Sequence, residues 1–242
     1  MDLLIRESLE AMSTSAAGLI ADALRERPAS LLGIATGATP TRTYELLVAL
    51  TNDEPVLGSR LRALTIDEWG GLPVDDPATC HAYAREHLIR PLEIDEGRYT
   101  HFSTDATDPV KEARRIGNWL AENGPIDLCV LGLGINGHVA LVEPATELVR
   151  GAHVAALSQA ALEHSMLEVA SASPTFGLTL GIDELLNSRR ILLLVSGTHK
   201  QEQLARLLDG PISTEFPASL LWLHPNTTLL CDRAASASIE QS

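Results

Sequence analysis

The sequence predicts an α/β fold of three layers, a mostly parallel, Rossmann-like sheet with helices on both faces. Two observations predict it. Four apolar runs are continuous rather than alternating: SLLGIA (Ser30–Ala35), LRALTI (Leu61–Ile66), IDLCVLGL (Ile126–Leu133) and ILLLVSG (Ile191–Gly197). Strands buried on both faces read this way. Between them lie segments with apolar residues at helical spacing, and strands alternating with helices make a parallel sheet.

Taken in order, Ile5, Leu9, Met12, Ala16, Leu19 and Leu24 recur at helical spacing and predict a first helix from about Leu4 to Arg25. The run Ser30–Ala35 is the first strand. It leads into Thr36-Gly37-Ala38-Thr39-Pro40, where Thr39 suits an N-cap and Pro40 a first helical residue. TRTYELLVAL continues as helix, and LRALTI is the second strand. CHAYAREHLIRPL predicts a helix ending near Pro91, and DPVKEARRIGNWLAENG another, closed by Gly124. IDLCVLGL is the third strand and ILLLVSG the fourth, the latter followed by a helix over THKQEQLARLL. SLLWL and TTLLC predict two short strands near the end. Repeats, low-complexity tracts and linkers are absent, so residues 1–242 are expected to form a single domain, long enough for a substantial core.

Composition narrows the function. Hydrophobic residues make up 45% and aromatic ones 4%, so Leu, Val, Ile and Ala must build the core. The formal charge is −14, from 18 Lys and Arg against 32 Asp and Glu. A nucleic-acid partner calls for a basic stripe, and none is present. An anionic substrate would need a locally positive site within this acidic shell. Cys80, Cys129 and Cys231 are far apart and form no CxxC, which argues against disulfides or a zinc cluster and fits a reducing cytoplasm. The start, MDLLIRESLEAM, is not a signal peptide. No run approaches the roughly 18 apolar residues of a membrane span. A cytoplasmic protein without nucleic-acid or membrane partners is expected.

In open parallel sheets ligands lie at the carboxyl ends of the strands. The first such end, GIATGATPTRTYELL, offers helix N-terminal N–H groups at Gly37, Ala38 and Thr39 to an anion, beside Thr36. A well-capped turn without ligand reads the same way. The second, LTIDEWGGLP, places Asp67 and Glu68 at the strand end. Neighbours in extended chain face opposite ways, so one of the two should enter a site; a solvated acidic turn is the alternative. The third, DLCVLGLGINGHVALVEP, carries Gly132-x-Gly134-x-x-Gly137, the spacing of a dinucleotide fingerprint. That motif needs a long helix from the turn, whereas Pro144 follows only seven residues after Gly137. What the turn does offer is His138 with Glu143 and Asn136, an acid–base arrangement, although a histidine satisfied in the core is equally consistent. The fourth, LLLVSGTHKQEQLARLL, sets Lys200 in a first helical turn, where the dipole disfavours a cation unless an anion is bound; a lone solvated lysine is the alternative.

These segments, in this order, resemble the glucosamine-6-phosphate deaminase/isomerase family, which also contains 6-phosphogluconolactonase. GIATGATPTRTYELL resembles its phosphate loop, TIDEWGGLP its MDEY-type motif, LGLGINGHVALVEP its G-x-DGH-x-A-x-x-EP motif, and LTLGIDELLNSRRILLLVSGTHK its late strand–helix unit. The resemblance implies an amino-sugar 6-phosphate substrate, monomeric or homo-oligomeric enzyme, and no metal or organic cofactor. It implies that His138, backed by Glu143, opens the ring. Asp67 would then move a proton between C2 and C1, and ammonia would leave. Gly37, Ala38 and Thr39, with Thr36 nearby and Lys200, would hold the phosphate.

Two departures stand out. Asn136 replaces the family's aspartate before Gly-His. The glucosamine enzymes carry an arginine well after the EP segment, yet this chain has no Arg or Lys from Gly151 to Ser188, and Arg150 falls too close to Pro144. The corresponding stretch reads QAALEHSML, with His164 as a candidate substrate contact. These features and FPASLLWLH resemble the galactosamine-6-phosphate isomerase branch. A 6-phosphogluconolactonase and a non-catalytic sugar-phosphate regulator on the same scaffold are the competing readings.

Overall fold

The four apolar runs lie side by side in one sheet. The computed structural model describes residues 1–237 and 239. In chain order the strands are β1 (Asp2–Arg6), β2 (Leu31–Ile34), β3 (Arg62–Thr65), β4 (Asp67–Gly70), β5 (Tyr99–Thr100), β6 (Leu128–Gly132), β7 (His153–Ala155), β8 (Phe176–Thr179), β9 (Ile191–Val195) and β10 (Thr227–Asp232). The seven-stranded sheet has the order β1-β10-β9-β6-β2-β3-β5. All its pairs are parallel. A second, three-stranded sheet, β4-β8-β7, is antiparallel. The helices used below are α1 (Leu9–Glu26), α2 (Ala38–Asp53), α3 (Cys80–Ala84), α4 (Pro109–Asn123), α5 (Gln159–Leu162), α6 (Ile182–Leu186) and α7 (Gln201–Asp209).

The α/β prediction therefore holds, with the small antiparallel sheet as an addition. Burial explains the continuous apolar runs: β2 and β9 are buried at every position. The core is aliphatic, as the low aromatic content requires, with Tyr44, Phe102 and Phe216 its largest fully buried side chains.

Local differences have identifiable causes. The expected helix from Leu4 begins instead at Leu9, and Asp2–Arg6 is an edge strand paired with β10. Ser8 sets the boundary by accepting the Ala11 N–H at 3.2 Å. SLLWL is not a strand but part of a 3-10 helix, Pro217–Leu223, opened by Pro217; a five-residue apolar run does not define its own period. The stretch from Cys80 runs as α3 and then as a π-helical turn over Arg85–Ile89. Gly124 closes α4 as expected, Pro109 is its first residue, and Asp108 caps it by accepting the Lys111 N–H.

Candidate active site

Sheet order places the predicted strand ends together. The chain passes from β2 to β3 on one side, then returns to β6 on the other, so β9, β6, β2 and β3 are consecutive neighbours. The switch point lies between β6 and β2, where open sheets leave a crevice. A cavity of about 410 Å³ opens there. Thr36, Gly37, Ala38, Thr39, Asp67, His138, His164 and Lys200 all line it. Asn136 and Glu143 do not; they stand behind His138.

At the end of β2 the helix begins two residues earlier than expected. Ala38 is its first residue and Gly37 its cap, so Thr39 is not the N-cap and Pro40 is not the first helical position. Gly37 has φ +103°, a backbone state that glycine adopts without penalty. Its carbonyl accepts from the Thr41 hydroxyl at 2.9 Å and the Tyr83 hydroxyl at 3.1 Å. With the carbonyl anchored, no side chain caps the N–H groups of the first turn, which borders the cavity. His164 folds over this turn: a Cβ on Gly37 would come within 3.2 Å of its Cε1.

Lys200 faces the same space from the end of β9. The helical turn holding it is a 3-10 turn, Thr198–Lys200, and α7 starts only at Gln201. Burial alone lowers its pKa, with no carboxylate among the described residues beside it. A half-buried, unpaired ammonium beside free helix N–H groups favours a bound anion.

At the end of β3 the chain continues through Ile66 into β4 rather than into a solvated turn. Successive residues then face opposite ways. Glu68 is fully buried and accepts the N–H groups of Trp69, Cys80 and His81, each at 2.8 Å. It anchors the start of α3. Asp67 turns to the cavity, and burial pushes its carboxyl up to about 7. A carboxyl poised there is suited to proton transfer near neutral pH.

After β6 no helix forms across residues 133–158; a turn, an isolated bridge between Val139 and Val142 and, further on, β7 occupy that place. A Cβ on Gly134 would sit 2.4 Å from the His138 ring, so glycine makes room for the imidazole. The expected His–Glu pair is present with Asn136 interposed. Asn136 Nδ2 donates to Glu143 Oε2 at 2.7 Å, and its Oδ1 lies 2.8 Å from His138 Nδ1. Because the amide donates to Glu143, its oxygen must accept from His138, so Nδ1 carries the proton and Nε2 the lone pair. Glu143 Oε1 is 3.4 Å from Nδ1. Burial, followed by the charges of Lys200 and His164, lowers the His138 pKa to about 4. It is a neutral base at pH 7.

Trp69, Cys80, Ser196 and His199 also line the cavity and were not anticipated. The Trp69 and His164 rings lie 5.9 Å apart between centroids. None of these residues sits in a spacing that signals chemistry; the second sheet brings in Trp69, α3 brings in Cys80, and Ser196 and His199 follow β9.

A parallel sheet that gathers titratable side chains and an uncapped helix N-terminus at its switch point has the architecture of the α/β enzymes. Residues 6–230 match the model of the glucosamine-6-phosphate isomerase/6-phosphogluconolactonase family. The chain is 39% identical to a protein of Escherichia coli (strain K12) provisionally named deaminase AgaI, over 91% of this chain and 87% of the relative. It is 36% identical to glucosamine-6-phosphate deaminase 1 of Bacillus subtilis (strain 168), over 96% of each chain. The solved structure of a monomeric glucosamine-6-phosphate deaminase of the NagB superfamily superposes with a TM-score of 0.91 at 35% identity, covering 98% of this chain and 99% of that one. A 6-phosphogluconolactonase from Trypanosoma brucei shares the fold at 20% identity and TM-score 0.77, over 98% of each chain. The chain belongs to the glucosamine-6-phosphate isomerase/6-phosphogluconolactonase family.

Proposed function

We propose that the protein is an amino-sugar 6-phosphate deaminase/isomerase, acting as one catalytic unit over residues 1–242. The observation that carries this reading is the meeting of Asp67, His138 and the Lys200 anion cradle in one cavity. The deaminase names of its relatives support it. His138 Nε2 takes the proton of the sugar's O1 hydroxyl as the C1–O5 bond breaks, and returns it to O5. Asp67 removes the C2 proton and delivers it to C1 while a proton of the amino group passes to O1, so the open-chain aldosamine becomes the C2 imine with a C1 alcohol. Water adds at C2, ammonia leaves, and a ketose 6-phosphate remains. One carboxylate shared by both carbons is what a 1,2-proton shift needs. The three cysteines are buried and not joined in disulfides, which fits the reducing cytoplasm in which we place it.

Ammonia release from a panel of hexosamine 6-phosphates tests the reading. Acid release from 6-phosphogluconolactone without ammonia release would move the protein to the lactonases; binding without turnover would make it a sensor.

The pH profile follows from the two shifted groups. His138 stays neutral above about pH 4, so it does not limit the acid side. Asp67 must be ionised to accept a proton, so kcat/KM should fall as pH drops through about 7. An acid limb only near pH 4 would remove Asp67 from the role of base.

Within this reading we place galactosamine 6-phosphate first. His164 stands over the phosphate loop, no Arg or Lys occurs from 151 to 188, and Asn136 is neutral. The epimers differ in one hydroxyl, and leaving one buried polar group unpaired costs about 1–3 kcal/mol. The expected preference in kcat/KM is about tenfold or more if one such bond decides it. Both epimers measured side by side decide it, and a preference for glucosamine 6-phosphate would reverse it.

A further inference from the structure

Cys80 is a buried side chain in the cavity that the proposed chemistry leaves unused. It begins α3 and is 2% exposed. Its polar contacts reach three parts of the site. The backbone N–H donates to Glu68 Oε1 at 2.8 Å. The thiol donates to Asp67 Oδ1 at 3.7 Å. Thr36 Oγ1, in the loop after β2, lies 3.3 Å from the same sulfur. No other side chain among the described residues hydrogen-bonds the Asp67 carboxyl.

Proton counting orders this chain of contacts. A thiol has one proton. With that proton on Asp67, the Thr36 hydroxyl must be the donor to sulfur. Burial, with Glu68 and Asp67 beside it, holds the thiol well above its ordinary pKa. It therefore stays a neutral donor, and no bond to sulfur forms or breaks. One carboxylate oxygen is engaged, and no hydrogen bond among the described residues engages the other, on a side chain that lines the cavity.

We propose that Cys80 is the positioning residue of the proton-transferring carboxylate: its thiol holds Asp67 Oδ1, ties that group to the Thr36 loop, and leaves Oδ2 to meet the sugar carbon. The proposal rests on the reading of Asp67 as the base. It acts through orientation and through the proton affinity of Asp67, since the thiol bond favours the ionised carboxyl.

The test is the pH dependence of kcat for Cys80→Ala and Cys80→Ser. In the alanine variant the acid limb should move up by about half to one pH unit, and kcat at pH 7 should fall about three- to tenfold. KM and the inhibition constant of inorganic phosphate should stay within about twofold, because Cys80 itself makes no contact to the phosphate and the backbone anchors of the loop at Gly37 remain. Serine restores a donor, so its limb should lie at or below that of the wild type, with most of kcat regained. If alanine does not fold, serine alone carries the test, and an upward shift of its limb overturns the proposal. An alanine variant with unchanged limb and kcat overturns it, as do equal upward shifts in both variants. Asp67→Asn separates the two layers: if it keeps C2 hydrogen exchange, the base assignment itself fails. If it loses exchange while Cys80→Ala behaves as wild type, only the role of Cys80 fails.

Discussion

Asp67→Asn is expected to lower kcat by about 10²–10⁴-fold, the range contributed by a positioned general base, while inorganic phosphate still binds. Asparagine keeps the shape, and its amide can still accept the Cys80 thiol bond at 3.7 Å. It cannot accept the C2 proton. Exchange of the C2 hydrogen with deuterated water is the direct measurement, and exchange at the wild-type rate would remove Asp67 from the mechanism.

The same substitution should change stability with the opposite sign. The folded-state pKa of Asp67 is raised from 3.8 to about 7. A carboxyl raised in this way supports the fold while protonated, and that support is lost as pH rises from about 4 through about 7. Asparagine does not ionise, so the melting temperature of the variant minus that of the wild type should increase between pH 5 and pH 8. The cavity is open to water, which reduces the gain below the full shift, to on the order of 1–2 kcal/mol at pH 8. A difference independent of pH would mean that Asp67 is not held in a desolvated state.

Lys200→Ala should raise KM about tenfold to about 150-fold, which corresponds to the loss of a charge-assisted bond of about 1.5–3 kcal/mol. Its effect on kcat should be small, because a contact remote from the reacting carbons is uniform binding. The inhibition constant of inorganic phosphate should rise in parallel. The lysine charge also depresses both His138 and His164. Their imidazole titrations, followed by NMR, should therefore move upward in the variant. An unchanged KM would exclude Lys200 from the anion site.

Much of this was legible before any tertiary contact was known. The runs SLLGIA, LRALTI, IDLCVLGL and ILLLVSG carry burial on two faces in their composition, and so specify a parallel sheet. Asp67, His138 and Lys200 follow such strands directly, and the ends of parallel strands share one edge. Local chemistry was enough for α4, with Asp108 and Gly124 at its ends. The four segments also carried the family resemblance.

Other features depend on partners far away in the chain. Asp2–Arg6 becomes a strand because β10, more than 220 residues later, offers it an edge. Gly37 rather than Thr39 caps α2 because Tyr83 and Thr41 anchor its carbonyl. Asp67 and not Glu68 faces the cavity because α3 supplies two of the three N–H donors that draw Glu68 into the core. Asn136 relays between His138 and Glu143, a geometry that spacing alone does not distinguish from direct pairing. Periodicity records which faces are buried and motif order records which strand ends carry the candidate site residues. Register, the second sheet and the placement of Cys80 beside Asp67 are contacts between segments distant in sequence, and only the folded chain makes them.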